Sequence, residues 1–218
     1  MAQTKLQLVT YVTDKFRVTT DAVVTRAKGF YDVRYRMIWD RFYWKQSKVS
    51  ESTSVTAGTQ DITLTSAIDR VIACRWDGNQ ILPVNQEQVF QINAQSWDAS
   101  GTPLAFSELP KDSSGLTRIR LYEIPQVTRT LVILGKAPAE TLTDNQSPRL
   151  GGIDQCLQAY VLGDLWQSIR QFAKADILYT EAEAFLTQMI KIEQEQTAYS
   201  NRIIPSGDGD YSRDDLMF

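Results

Sequence analysis

The chain has 218 residues, 43% hydrophobic and 22% charged, with 23 basic against 26 acidic side chains for a net charge of −3. That is length for one large domain or two small ones with a real core, and a charge balance that offers nucleic acid no global basic field. Histidine is absent, which removes Ser-His-Asp and Cys-His nucleophiles, paired-histidine zinc helices and any imidazole proton shuttle.

The other catalytic routes narrow as well. The two cysteines, Cys74 and Cys156, fall in a strand-like and a helix-like segment and read as reduced core thiols, too few for a four-thiolate zinc site. Neither common glycine-rich phosphate-loop pattern occurs. The expectation is a protein with no catalytic residues, no metal and no cofactor. No apolar run approaches the roughly 18 residues of a membrane span, and the N-terminus lacks the apolar core of a signal peptide, so a soluble protein made in the cytoplasm is expected.

The first 48 or so residues read as two helices. "TKLQLVTYVTDKF" places Leu6, Val9, Thr10 and Thr13 near one face, with Leu8 and Val12 beside it. A second helix should run to about Lys48, with Thr19 or Thr20 as N-cap and Asp21 at the positive end of its dipole. On its 3.6-residue period Arg34, Arg41, Lys45 and Lys48 share a stripe, and Trp39, Phe42, Tyr43 and Trp44 crowd its end. Basic residues interleaved with aromatics suit electrostatic or subunit contacts, or alternatively a phosphate backbone. More aromatics stand here than one helix can turn to one core, so Trp39 and Trp44 are candidates for core packing or for a subunit interface.

From about residue 50 the pattern turns to strands. "STSVTAGTQDITLT" reads as two short strands broken at Ala57-Gly58. "RVIACRWDGNQILPV" reads as a hairpin turning at Asp77-Gly78, which supplies the positive φ that a tight turn needs. "NQEQVFQINAQSW" has the look of a short helix. "TRIRLYEIPQVTRTLVILGK" suggests a further hairpin with Pro125 in its turn; Ile119 and Leu121 alternate with Arg118, Arg120 and Tyr122, as on a sheet with one wet face.

A polar linker, "APAETLTDNQSP", leads to a helical pair. In the last helix Leu178, Ala182, Phe185, Met189, Ile192, Gln196 and Tyr199 keep a heptad spacing, opposite a charged face of Glu181, Glu183, Lys191 and Glu195. The expected fold class is α+β. Residues 1–49 and 141–200 form a helical bundle, 50–140 an inserted β-rich domain whose two ends lie close together, and 201–218 an extended C-terminal arm. That arm carries Asp208, Asp210, Asp214 and Asp215 without the glycine and glutamate of a calcium loop, so it reads as an acidic tail rather than a metal site. Its spaced apolar residues Tyr211, Leu216, Met217 and Phe218, after Pro205, suit a segment that orders on a partner.

Two stretches carry a resemblance. "FSELPKDSSGLTRIRLYEIPQVTRTLVILGK", and "PRLGGIDQCLQAYVLGDLWQSIRQFAKADILYTEAEAFLTQMIKIEQEQ" with its Tyr160-x3-Asp164-Leu165 spacing before Arg170-Gln171-Phe172, resemble the head-to-tail connector (adaptor) proteins of tailed bacteriophages. The resemblance spans residues 104 to 200. It implies a structural virion protein at the neck: a homo-oligomeric ring, dodecameric by resemblance, that docks on the portal protein and presents a face to neck or tail proteins. Genomic DNA would pass through it without specific binding, which an acidic balance suits. By the same resemblance Pro205, Tyr211, Leu216, Met217 and Phe218 would belong to a portal-docking arm. The alternatives are a tail-completion or tail-terminator protein, a nucleic-acid-binding module resting on Arg34, Arg41, Lys45 and Lys48, and a carboxylate enzyme for which no pair of acids stands out.

Overall fold

The computed structural model describes residues 3–85 and 99–202, with side chains as far as 196. The chain is α+β and divides into two compact units: residues 1–31 with 144–218, and residues 32–143. The expected short helix over "NQEQVFQINAQSW" lies, from Gln86 on, outside the described residues, as does the arm beyond Arg202.

The helical unit is built from α1 (Lys5–Phe16), the start of α2 (Asp21–Arg41), α3 (Asp154–Ser168) and α4 (Phe172–Arg202). Helix α1 begins where its exposed N–H groups find acceptors. Thr4 Oγ1 accepts from Gln7 N while the Gln7 side chain accepts from Thr4 N, a reciprocal cap. Lys5 N and Leu6 N donate to the carbonyls of Gln146 and Asp144, which ties the returning linker to the first turn. The helix ends on Arg17 in the left-handed region, φ 60°. Its buried stripe is Lys5, Leu8, Val9, Val12, Thr13 and Phe16. Leu8 and Val12 are therefore central, whereas Leu6 and Thr10, expected inward, face solvent.

Helices α3 and α4 pack along a seam with a polar lock. Tyr179 donates to Asp164 Oδ1 at 2.7 Å and lies 2.6 Å from the Gln167 amide oxygen, while Tyr160 donates to Glu183 Oε1 at 2.6 Å. Gly163 permits this approach, since a Cβ there would stand 2.7 Å from the Tyr179 ring. On α4 the buried positions are Ala175, Ala182, Leu186 and, least so, Glu193, with Leu178, Phe185 and Met189 half-buried. The heptad reading thus holds at its start but drifts, leaving Ile192 47% exposed. A straight helix of 3.6 residues per turn rotates away from a strict seven-residue repeat. Replacing Gly163 with Ala should lower helical-unit stability by about 1–2 kcal/mol despite the better helix propensity, because the Tyr179 ring must move and loosen its hold on Asp164. Calorimetry reads this as a lower Tm.

The second unit begins inside α2 rather than after it. Helix α2 starts as expected, with Thr20 O accepting from Val24 N and Asp21 in the first turn. It stops at Arg41, not Lys48. Side chains take the carbonyls that a further turn would use: Trp44 Nε1 donates to Ile38 O at 3.0 Å, and Lys136 Nζ donates to Trp39 O at 2.7 Å. A short 3-10 turn, Lys45–Ser47, then leads into the sheet.

Seven strands form that sheet, in the order β1-β9-β3-β4-β6-β7-β2. They are β1 (Lys48–Val55), β2 (Asp61–Thr63), β3 (Arg70–Trp76), β4 (Asn79–Pro83), β6 (Ala105–Leu109), β7 (Arg118–Tyr122) and β9 (Arg129–Lys136). All neighbours are antiparallel except β4 and β6. One core takes side chains from all seven, including Val55 and Ile62 from the two end strands and Trp76, Phe106, Ile119, Leu121, Leu131 and Ile133 between them. A flat sheet cannot bring its two ends into one cluster, so this one curls over the core.

The β3–β4 hairpin turns as expected at Asp77 (φ 49°) and Gly78 (φ 87°), both left-handed as a two-residue turn demands. The second expected hairpin does not form. Strand β7 pairs with β6 and β2, and β9 with β1 and β3. Between them Pro125 is not in a turn but in β8 (Ile124–Pro125), which pairs with β5 (Ser100–Gly101). Strand β7 does alternate: Ile119 and Leu121 are fully buried, and Arg120 reaches Asp61 through two bonds of 2.6 and 2.7 Å. Tyr122 departs from the pattern, buried with its hydroxyl 2.9 Å from Ser107 Oγ.

Candidate interaction surfaces

The side chains singled out before residue 197 each have a definite place, whereas Pro205, Tyr211, Leu216, Met217 and Phe218 lie outside the described residues. Trp39 and Trp44 are 1% and 2% exposed, and their indole nitrogens donate to Ala137 O and Ile38 O. They are core residues of the second unit, together with Tyr35, whose hydroxyl donates to Glu140 at 2.9 Å. The surplus of aromatics is explained by α2 passing from one unit into the next, so that one helix serves two cores. A surface role for the two tryptophans is thereby corrected.

The basic stripe does not exist as a helix face. Arg41 is the last residue of α2, Lys45 lies in the 3-10 turn and Lys48 opens β1, so the spacing that aligned them with Arg34 is broken at Arg41. Arg34 is half-buried beside Met37, with Nη1 3.5 Å from its sulfur. Arg41, Lys45 and Lys48 are exposed.

Both cysteines are buried and neither forms a disulfide, as expected. Burial pushes the Cys74 thiol up to about 12, which leaves no thiolate to react at neutral pH. Among the described residues no group of three or more acidic or thiol side chains could hold a metal ion, and no helix is long and apolar enough to cross a membrane.

The helical unit nevertheless exposes apolar surface. A groove of about 230 Å³ runs between α1, α3 and α4, lined by Tyr11, Leu162, Leu178 and Phe185 with Lys15 and Glu181 at its rim. Contact with the Tyr11 hydroxyl, helped by the charge of Glu181, raises the pKa of Lys15 and keeps it cationic. At the turn between α3 and α4, Phe172 is 57% exposed beside Ile169, and Lys174 lies over the Trp166 ring at 4.1 Å. On α4 itself Ile177 is 69% exposed. Sequence reasoning passed over Ile177 because it sits outside the heptad series. Its β-branched apolar side chain beside the charged face was the available signal.

In the second unit the outer face of the sheet holds a shallow depression between Ser50, Ala73, Arg75, Gln80, Val132 and Leu134. These are the residues that alternate with the core positions of β1, β3, β4 and β9. Of the residues quoted for the phage-connector resemblance, Tyr160 and Asp164 bond α4 through Glu183 and Tyr179, and Leu165 is buried. No family model matches the chain, and no curated protein matches it.

Proposed function

We propose that this protein is a non-enzymatic structural subunit of a phage virion, a head-to-tail connector (adaptor). Copies assemble as a ring on the portal protein, at the neck, and present a face to neck or tail proteins. The observation that carries the reading is the exposed apolar surface of the helical unit. Phe172 at 57% and Ile177 at 69% exposure, and separately the Tyr11–Phe185 groove, are apolar surfaces suited to burial against neighbouring copies. Residues 205–218, with Pro205, Tyr211, Leu216, Met217 and Phe218, are the portal-docking arm, soluble through their aspartates until the apolar residues are captured. Genomic DNA slides past without specific binding, in keeping with the net charge of −3.

The test is to mix the protein with the portal of its own phage and image the mixture by electron microscopy. A second ring of density on the portal is expected, and a chain lacking residues 206–218 should stay folded yet lose at least about tenfold in attachment. Absence of that ring, with the protein co-purifying with tails instead, would replace the connector reading with tail completion. Equal attachment by the truncated chain would remove the arm's role alone.

A further inference from the structure

Strand β1 ends the sheet and is eight residues long, in unbroken antiparallel register with β9 from Lys48↔Lys136 to Val55↔Arg129. The ladder parity shows which backbone groups are left over. Ala137 N donates to Ser47 O at 2.7 Å, so Ser47 and, alternately, Val49, Glu51, Thr53 and Val55 point their backbone groups at β9. On the far side of β9, Asp69 N donates to Lys136 O and Asp77 N to Thr130 O, so its even-numbered residues serve β3. The N–H and C=O groups of Lys48, Ser50, Ser52 and Ser54 therefore point away from the sheet. Among the described residues no other backbone bonds them.

Natural edges of this length are normally guarded by proline, inward charges, bulges or a cover. This one has no proline and no bulge; its charges are Lys48 and Glu51, and Glu51, on the half-buried row, is held by bonds from Thr65 N and Oγ1. Such an edge takes up another strand readily.

We propose that the β1 edge pairs with the β1 edge of a second copy, antiparallel about a two-fold axis through Ser52. The even-outward parity allows bonded pairs only between even-numbered residues. A register centred on residue 51 would set Glu51 directly against its own copy. The register centred on Ser52 instead sets Glu51 against Thr53, Val49 against Val55 and Ser50 against Ser54, and opposes no like charges. Pairing would make one sheet continuous across two subunits. A two-fold contact of this kind is closed, so it describes a soluble dimer and not the neighbour contact of a cyclic ring. It does not depend on the connector reading.

The experiment is sedimentation of the full chain over a range of concentrations, with three variants. Ser52→Pro removes an N–H that the fold does not use, and Ser52→Lys places a guarding charge at the axis without touching the backbone. Both should stay folded by circular dichroism and weaken dimerisation by roughly tenfold or more. Ser52→Cys should cross-link to its own copy under mild oxidation, since bonded partners stand about 5.5 Å apart between Cα atoms, whereas Ser54→Cys should not. A chain that is monomeric at every concentration overturns the proposal. So does a dimer that survives both substitutions at Ser52, which would lie on another surface. A dimer lost on removing residues 206–218 overturns it in favour of the arm as the strand that fills this edge.

Discussion

Replacing Trp39 with Ala should lower the stability of the second unit by about 4 kcal/mol, the middle of the range for removing a buried aromatic side chain. Three contacts converge on this residue. Its ring packs 6.0 Å from Tyr35, its indole donates to Ala137 O, and its own carbonyl accepts from Lys136 Nζ. Lys136 is 2% exposed, and burial lowers its pKa against the opposing pull of Asp40. The cavity would admit water to a lysine whose bonds end the helix. Denaturant unfolding followed by far-UV circular dichroism measures the loss. Val33→Ala is the control: at 66% exposure on the same helix it should change stability by about 0.5 kcal/mol or less. Equal effects from the two substitutions would mean that Trp39 is not the keystone of this core.

Gly135→Ala should also destabilise the second unit although it adds a single carbon. Gly135 lies in β9 opposite a bulge in β3, where the register shifts between Val71 and Ala73. A Cβ there would meet Ile68 Cγ2 at 2.5 Å and Arg70 O at 2.9 Å. The second contact is backbone and cannot swing aside. Overpacking of this kind costs about 1–3 kcal/mol, and here it pushes apart the β3–β9 ladder beside Lys136. The expected result is a lower urea midpoint with an unchanged slope. A wild-type midpoint would show that the bulge relaxes freely.

Local chemistry explains what the sequence made legible. Asp77-Gly78 requires nothing beyond its own two φ angles, so that hairpin was readable, and so was the start of α2 at Thr20-Asp21. The stop at Arg41 was not, because Trp44 and above all Lys136 end the helix, and Lys136 is remote in sequence. Once α2 stops there, the stripe of Arg34, Arg41, Lys45 and Lys48 dissolves with it. The reciprocal cap of Thr4 and Gln7 stood in plain view as "TKLQ" and would have moved the inward face of α1 away from Leu6. The pairing of β7 and β9 failed as an expectation for a related reason: β8 occupies their connection and bonds to β5, which no local pattern announces. As for surfaces, periodicity identifies what is buried. Ile177 and Phe172 emerge only when the packed face of α4 is known.

The chain's route matters for its assembly in time. Strand β1, first in the sheet, pairs with β9, the last, and α1 donates its first N–H groups to carbonyls of the linker that follows β9. The second unit cannot close until β9 is made, and the helical unit not until α3 and α4 follow it. While the ribosome is still working through the sheet, β1 stands with both edges open and α1 without its linker or α3. Folding dominated by such distant contacts is slow, and the unfinished chain is open to wrong pairings for that whole interval. Until β9 arrives, the edge of β1 that β9 will fill is open to another nascent copy on the same message.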